Sequence, residues 1–193
     1  MNTSTMDETA LLLAARKGDR TAFGALVKLY QRRAYAAAFS IVGNSEDALE
    51  IAQEAFVRAF RAMHRFDPKM PFYPWLYRII RNICYNHLRR RSRHGEISLQ
   101  EMMENGYDPC DNGRTPEEHA ELDDLKRSIR GAMAQLTPEH REILRLRHFL
   151  ELSYLEIAQC LKIPQGTVMS RLHAARKALR QVIETKEEEL VHP

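Results

Sequence analysis

Apolar residues recur along this chain at three- and four-residue spacings, and no stretch alternates in the strict manner of a half-buried strand. That property confines the fold to helices packed on helices, an all-α architecture. Glycine and proline set the breaks. A first helix runs from about Glu8 to Lys17 and stops at Gly18. Asp19 is a suitable N-cap for a second, which carries Phe23, Leu26, Val27, Tyr30 and later Phe39 on one side. Gly43-Asn44 ends it, because both residues tolerate the left-handed conformation of a C-cap. Ser45 then caps a third helix reaching about His64, and the prolines within Asp67–Pro74 force a loop. A fourth, strongly basic helix follows from Trp75 to about Arg91.

The next stretch holds Gly95, Gly106, Pro109, Gly113 and Pro116 among polar and acidic residues, and reads as a flexible linker over 95–116. It divides the chain into a helical domain at 8–94 and a second at 117–187. A length of 193 residues suits two small domains that each bury a core. No apolar run approaches the roughly 20 residues that cross a bilayer. The N-terminus has acids before a short apolar patch, unlike a signal peptide. Cys84, Cys110 and Cys160 match no disulfide framework or zinc spacing, so the expectation is a reduced, cytoplasmic protein.

The net charge of +3 says less than its distribution. Between Leu76 and Gly95 lie six arginines and no acid; between Gly95 and Leu125 lie ten acids and one arginine, Arg114. From Ile157 to Ile183 there are five Lys or Arg and again no acid. Two basic islands around an acidic bridge suggest two separate contacts with a polyanion.

The second island coincides with a helix-turn-helix pattern. Ser153-Tyr154-Leu155-Glu156 is a capping box that opens a short helix with Ile157, Ala158 and Leu161 inward. Ile163-Pro164-Gln165-Gly166 breaks it in a tight glycine-containing turn, and a new helix starts at Thr167. On a wheel of about 100° per residue, Val168, Leu172, Ala175 and Leu179 form one apolar stripe. Ser170, His173, Ala174 and Lys177 lie opposite, with Met169, Arg171 and Arg176 on the flanks. A small or basic outer face of this kind suits entry into a major groove; an ordinary helical hairpin with a solvated face would look similar. Upstream, Thr137 at N-cap and Pro138 at N1 start another helix, whose Ile143, Leu144, Leu146, Phe149 and Leu150 are mostly core.

The first island differs in kind. On the fourth helix Leu76, Ile80, Ile83 and Cys84 gather on one side, and Trp75, Arg78, Asn82, Tyr85, Asn86 and Arg89 on the other. Cations suit phosphates, whereas flat aromatics and amides suit unstacked bases. Phe72 and Tyr73 in the proline-stiffened loop could hold a flipped base, or be core together with Trp75 and Tyr77. The third helix is expected to bury Leu49, Ala52, Phe56, Phe60 and Met63. Its outward side then shows Asp47, Glu50, Glu54, Arg58 and Arg61, with Ile51 exposed among them and Gln53 at the edge. Charges around one apolar residue suit a protein contact; a solvated face with a stray isoleucine would look alike.

These residues resemble a known family. Glu46-Asp47-Ala48-Leu49-Glu50-Ile51-Ala52-Gln53-Glu54-Ala55-Phe56-Val57-Arg58-Ala59-Phe60, then Phe72-Tyr73-Pro74-Trp75-Leu76-Tyr77-Arg78-Ile79 and Asn82, resemble the second conserved domain of extracytoplasmic-function sigma factors of the sigma-70 family. Leu136-Thr137-Pro138, Ser153-Tyr154-x-Glu156-Ile157-Ala158 and Ile163-Pro164-x-Gly166-Thr167-Val168-x-Ser170-Arg171-Leu172 resemble the fourth. The resemblance implies a bacterial RNA polymerase subunit for promoter recognition, with no enzymatic activity, cofactor or small-molecule substrate of its own.

In that reading Asp47, Glu50, Ile51, Gln53, Glu54 and Arg58 dock on the β′ clamp helices of core RNA polymerase. The Phe66–Trp75 loop and the Arg78, Asn82 and Asn86 face trap the non-template strand of the −10 element with one base flipped. The acidic linker threads towards the active-site and RNA-exit channels, and the helix from Thr137 meets the β flap. Thr167–Arg180 reads the −35 element, through Thr167, Ser170, Arg171, His173, Arg176 and Lys177. An anti-sigma factor, often membrane-anchored, is implied as a further partner. Where the family often has basic residues, this chain has Met169 and Ala174, so a guanine contact there is not expected and DNA shape carries more of the −35 preference. Glu50 stands where Asp is usual.

A repressor or activator acting without polymerase would also explain the helix-turn-helix, but leaves the Phe72–Arg91 cluster without a role. Cys84 and His87, three apart on a helix, lack a third metal ligand, so no metal site is expected. No phosphate loop, nucleophile elbow or carboxylate pair appears, and no catalytic residue is assigned.

Overall fold

The computed structural model describes residues 3–93, 128–129 and 131–191. Residues 95–116, expected to form the linker, lie outside them, as does Cys110. The chain divides into Met1–Arg90 and Arg91–Pro193, and among the described residues every regular element is helical.

In the N-terminal unit α1 covers Thr3–Arg16, and Gly18, at φ 94°, turns the chain out of it. The Asp19 carboxylate accepts from the N–H groups of Thr21 (2.8 Å) and Ala22 (3.1 Å), starting α2, Arg20–Val42. Gly43 ends α2 at φ 73°, a backbone shape that costs glycine nothing. Asn44, not Ser45, caps α3, Ser45–Ala62: its Oδ1 accepts from the Asp47 N–H at 3.0 Å, and Ser45 is already helical. A 3₁₀ turn over Met63–Arg65 leads through the proline loop to α4, Phe72–Arg93.

Helix α2 packs against both α1 and α3. Its buried face includes Ala34, Ala37 and Ala38, and that of α3 includes Ala48, Ala52, Ala55 and Ala59. Small side chains let two helix axes approach closely. Of the inward residues expected for the third helix, Ala52, Phe56 and Met63 are buried and Phe60 is half-buried, but the first turns of α3 are rotated from the expected stripe. Ile51 is 3% exposed and belongs to the core, whereas Leu49 is 53% exposed and faces out. The large residues suggested a stripe through Leu49 and Phe60; the alanines set the actual one.

The second correction concerns the proline loop. Helix α4 begins at Phe72 rather than Trp75, and Phe72 and Tyr73 are 0% and 2% exposed. Tyr30 of α2 stacks on Tyr73 with centroids 6.1 Å apart and lies 5.2 Å from Phe72; Phe66 packs edge-on to Phe72 at 5.7 Å. Tyr30 also donates a 2.6 Å hydrogen bond to Glu8. These aromatic rings form a floor, not an open pocket for a base.

In the C-terminal unit the Thr137 hydroxyl accepts from the His140 N–H at 3.3 Å, with Pro138 at the first position of α5, Pro138–Leu144. A π turn over Arg145–Phe149 continues it. Arg141 is buried, and its guanidinium donates to the carbonyls of Met133 (2.9 Å), Ala134 (2.7 Å) and Leu136 (2.8 Å). One cation thereby reaches three carbonyls where the helical residues 131–134 end, although that of Met133 also accepts from the Leu136 N–H at 3.2 Å. The expected capping box starts α6, Tyr154–Leu161: Ser153 Oγ accepts from the Glu156 N–H at 3.2 Å, and the Ser153 N–H donates to the Glu156 carboxylate at 2.9 Å.

The turn that follows is built differently from the expected one. Lys162 adopts the left-handed conformation (φ 55°), and the N–H groups of Lys162 and Ile163 both reach the Ala158 carbonyl. Helix α7, Gln165–Val191, begins two residues before Thr167, so Gly166 lies in its first turn with no positive φ.

Candidate nucleic-acid interface

Helix α4 presents its outer face as the sequence suggests. Asn82, Asn86 and Arg89 are exposed, and Trp75, Arg78 and Tyr85 are half-exposed along the same side. Leu76, Ile80, Ile83 and Cys84 are buried opposite. Trp75 is fixed from beneath by Phe66, with ring centroids 4.9 Å apart, and by Phe72 at 5.6 Å. Phe72 and Tyr73 are therefore withdrawn as direct base contacts, because both lie under the surface. Arg81 lies over the Tyr85 ring at 5.4 Å and Arg33 of α2 over Tyr73 at 3.7 Å, so cations are held near this surface by aromatic faces. His87 Nε2 lies 3.2 Å from Asp47 Oδ2, which places α4 beside the start of α3.

The outer face of α3 combines acids, an ion pair and two apolar residues. Glu46, Glu50, Gln53, Glu54 and Arg58 are exposed and Asp47 is half-buried. Arg58 and Glu54 form a 2.6 Å ion pair across one turn. Ile51 is withdrawn from this face, and Leu49 and Val57, each about half exposed, take its place. Centring the helical wheel on the alanines would have found them. Phe66 had no periodic signal, since it lies in irregular chain.

On α7, Val168, Leu172 and Ala175 are buried against the unit. Ser170, His173, Ala174, Arg176 and Lys177 are exposed, with Arg171 and Thr167 half-exposed. The Ser170 hydroxyl donates to the Thr167 carbonyl at 3.2 Å, which turns it along the helix in the free state. The outer side continues as a cleft bordered by His173, Arg176, Lys177 and Arg180, with Gln181 and Glu184 at its far end. Before α6, Arg147 donates to the Leu152 carbonyl at 2.9 Å and lies over the Tyr154 ring at 5.4 Å. His148, one residue on, has its pKa lowered below the usual 6.5 by partial burial and by the charges of Arg176 and Arg147.

An amide–aromatic–guanidinium face on one helical unit and a helix-turn-helix on the other define a nucleic-acid-binding protein of two modules. Comparison with known proteins names both modules. The Sigma-70 region 2 family profile matches residues 26–94, and the Sigma-70, region 4 profile matches residues 132–181. The ECF RNA polymerase sigma factor SigW of Bacillus subtilis (strain 168) is 33% identical over 170 residues, covering 86% of this chain and 91% of the relative. The solved structure of CnrH in complex with the cytosolic domain of CnrY is similar in fold, with a TM-score of 0.65 and 24% identity over 93% of this chain and 98% of that one. The sigma factor RpoE from Bartonella quintana, solved with the anti-sigma factor NepR, has a TM-score of 0.61 and 23% identity over 84% of this chain and 96% of its own. The chain belongs to the extracytoplasmic-function RNA polymerase sigma factors.

Proposed function

We propose that this sigma factor divides promoter recognition between its two units, residues 8–94 and 117–187, with core RNA polymerase docked on α3. Glu50, Gln53, Glu54 and Arg58, with Asp47 beside them, surround Leu49 and Val57 and meet the β′ clamp helices. The α4 face of Trp75, Arg78, Asn82, Tyr85, Asn86 and Arg89 holds the unpaired non-template strand of the −10 element. Stacking and hydrogen bonds to extruded bases offset the cost of unstacking them and so favour strand opening. Helix α7 reads the −35 element through Ser170, Arg171 and His173, with Thr167, Arg176 and Lys177 at the backbone. The helix from Thr137 meets the β flap. The protein acts by binding, with no catalysis, cofactor or small-molecule substrate of its own, in the cytoplasm. Among the described residues no helix is long and apolar enough to cross a membrane. An anti-sigma factor is proposed as its regulator, in keeping with the partner of the Bartonella quintana relative.

The observation that carries this reading is the outward amide, aromatic and guanidinium set on α4, seated on a closed aromatic floor. Run-off transcription with core polymerase tests it. Asn82→Ala lowers open-complex formation by about tenfold or more, in line with loss of one base-holding contact. Arg171→Ala weakens the dependence on the −35 element while leaving opening of a pre-melted template intact. Initiation by neither wild type nor variants overturns the assignment of these faces.

A further inference from the structure

We infer that Glu8 of α1 is a positioning residue for the outer face of α4: its carboxylate fixes Tyr30, and Tyr30 fixes the rings that carry Trp75. The inference rests on the −10 role proposed for α4 and adds to it a residue of the first helix. Helix α1 lies ahead of residues 26–94, the stretch that matches the region 2 profile.

Each step of the path is a direct contact. The Tyr30 hydroxyl donates to Glu8 Oε1 at 2.6 Å, at the short end of the range for a hydroxyl donor. The Tyr30 ring is 7% exposed, lies 5.2 Å from Phe72, and stacks on Tyr73 with planes 15° apart. Phe72 is in turn 5.6 Å from Trp75. The half-buried Glu8 carboxylate thus reaches the half-exposed indole through two rings. A second route starts from the same helix. Helix α1 packs on the 3₁₀ turn Met63–Arg65, and the next residue, Phe66, supports Trp75 with centroids 4.9 Å apart. Buried Leu12 and Ala15 seat α1 within the unit. One helix therefore bears on both rings beneath Trp75, on Phe72 through Tyr30 and on Phe66 through the turn.

Packing by itself leaves a ring some freedom to slide, because dispersion contacts are weak singly and have no direction. A hydrogen bond at the far end of Tyr30 removes that freedom, since it fixes distance and angle together. Close-packed rings then pass the constraint on, having little slack between them. An indole that stacks on an unpaired base binds better when its plane is set beforehand, because less freedom is lost on binding. Glu8 touches no base and acts only through Tyr30. A plain tether between α1 and α2 would use the same bond and leave Trp75 indifferent to it.

Trp75 is the one tryptophan of the chain, so its fluorescence reports the indole directly. Anisotropy and acrylamide quenching are compared in the full-length wild type, Glu8→Ala, Glu8→Gln, Tyr30→Phe and the Glu8→Ala/Tyr30→Phe pair. Glu8→Ala and Tyr30→Phe are each expected to lower the anisotropy and raise the quenching. The pair goes no further than either change alone, because both remove one bond. Glu8→Gln keeps an acceptor oxygen and returns most of the wild-type signal. Affinity for a fluorescent mixed-sequence single strand of about ten nucleotides falls about three- to tenfold in Glu8→Ala and Tyr30→Phe, as a weakened stacking contact requires. A lower urea midpoint with unchanged Trp75 anisotropy marks a plain tether and overturns the inference, as do additive effects in the pair. Tyr30→Phe keeps every ring, so it decides the matter if Glu8→Ala undocks α1. If the wild type binds no single strand, the strand-holding role of α4 fails, and the anisotropy still decides whether Glu8 positions Trp75.

Discussion

The two units solve related problems with different materials. The N-terminal unit displays its proposed strand-holding face on a long helix whose root is an aromatic floor of Tyr30, Phe66, Phe72 and Tyr73. The C-terminal unit orients its helix-turn-helix through caps, a left-handed turn residue and one buried guanidinium. On the proposed reading, the contrast follows from the shape of each unit's ligand. A duplex groove is itself rigid, so a helix need only be aimed at it. An unpaired strand has no shape of its own, so the protein surface must supply the rigidity, and packed aromatic rings do so.

If that contrast holds, apolar truncation should damage the first unit most and polar truncation the second. Phe66→Ala removes the ring beneath Trp75 and Phe72 and should cost about 3–5 kcal/mol in the N-terminal unit. Urea unfolding combined with hydrogen exchange across α2 and α4 reads this effect. A loss below about 1 kcal/mol would show that the floor is not what holds Trp75. Arg141→Ala removes the guanidinium from the Ala134 and Leu136 carbonyls, and one of two donors from that of Met133, and should cost about 2–3 kcal/mol in the C-terminal unit. Exchange at the amides of α5 and α6 reports it, with α4 amides unchanged. Equal loss in both units would break the comparison.

The smallest effect sharpens it. Glu151 sits at φ 52° between the π turn and α6, a conformation that strains any side chain with a Cβ. Glu151→Gly should raise the stability of the C-terminal unit by about 0.5–1 kcal/mol, the relief being partly cancelled by greater freedom of the unfolded chain. Slower exchange of the Leu152 amide, which donates to the Leu146 carbonyl at 3.0 Å, would register the change.

Much of both faces was legible in the residues alone. The caps at Asp19, Thr137 and Ser153 form where their side chains predict, because the bond partners lie within three residues. The outer sides of α4 and α7 were equally readable, since each helix has one unbroken stripe of large apolar residues to define its inside. Helix α3 was not. Its apolar positions are shared between alanines and larger residues on adjoining arcs, and hydrophobicity ranks Leu49 above Ala48. Close approach of α2 reverses that ranking, leaving Leu49 outside and Ile51 in.

The turn residues divide in the same way. Gly18 and Gly43 take positive φ where a glycine is expected to, but Gly166 does not, and Lys162 and Glu151 do. Where a loop must change direction is decided by how α5, α6 and α7 meet, and a strained residue is tolerated when that packing outweighs its cost of roughly 1–2 kcal/mol. The sequence by itself determined the helices, most of their caps and the chemistry of the two basic surfaces, because these depend on neighbours within about a turn of chain. Tertiary packing decided which apolar residues of α3 face out, and that Phe72 and Tyr73 support the proposed strand-holding surface from below. Those outcomes depend on residues as distant in the chain as Tyr30 and Tyr73, whose contact no local pattern encodes.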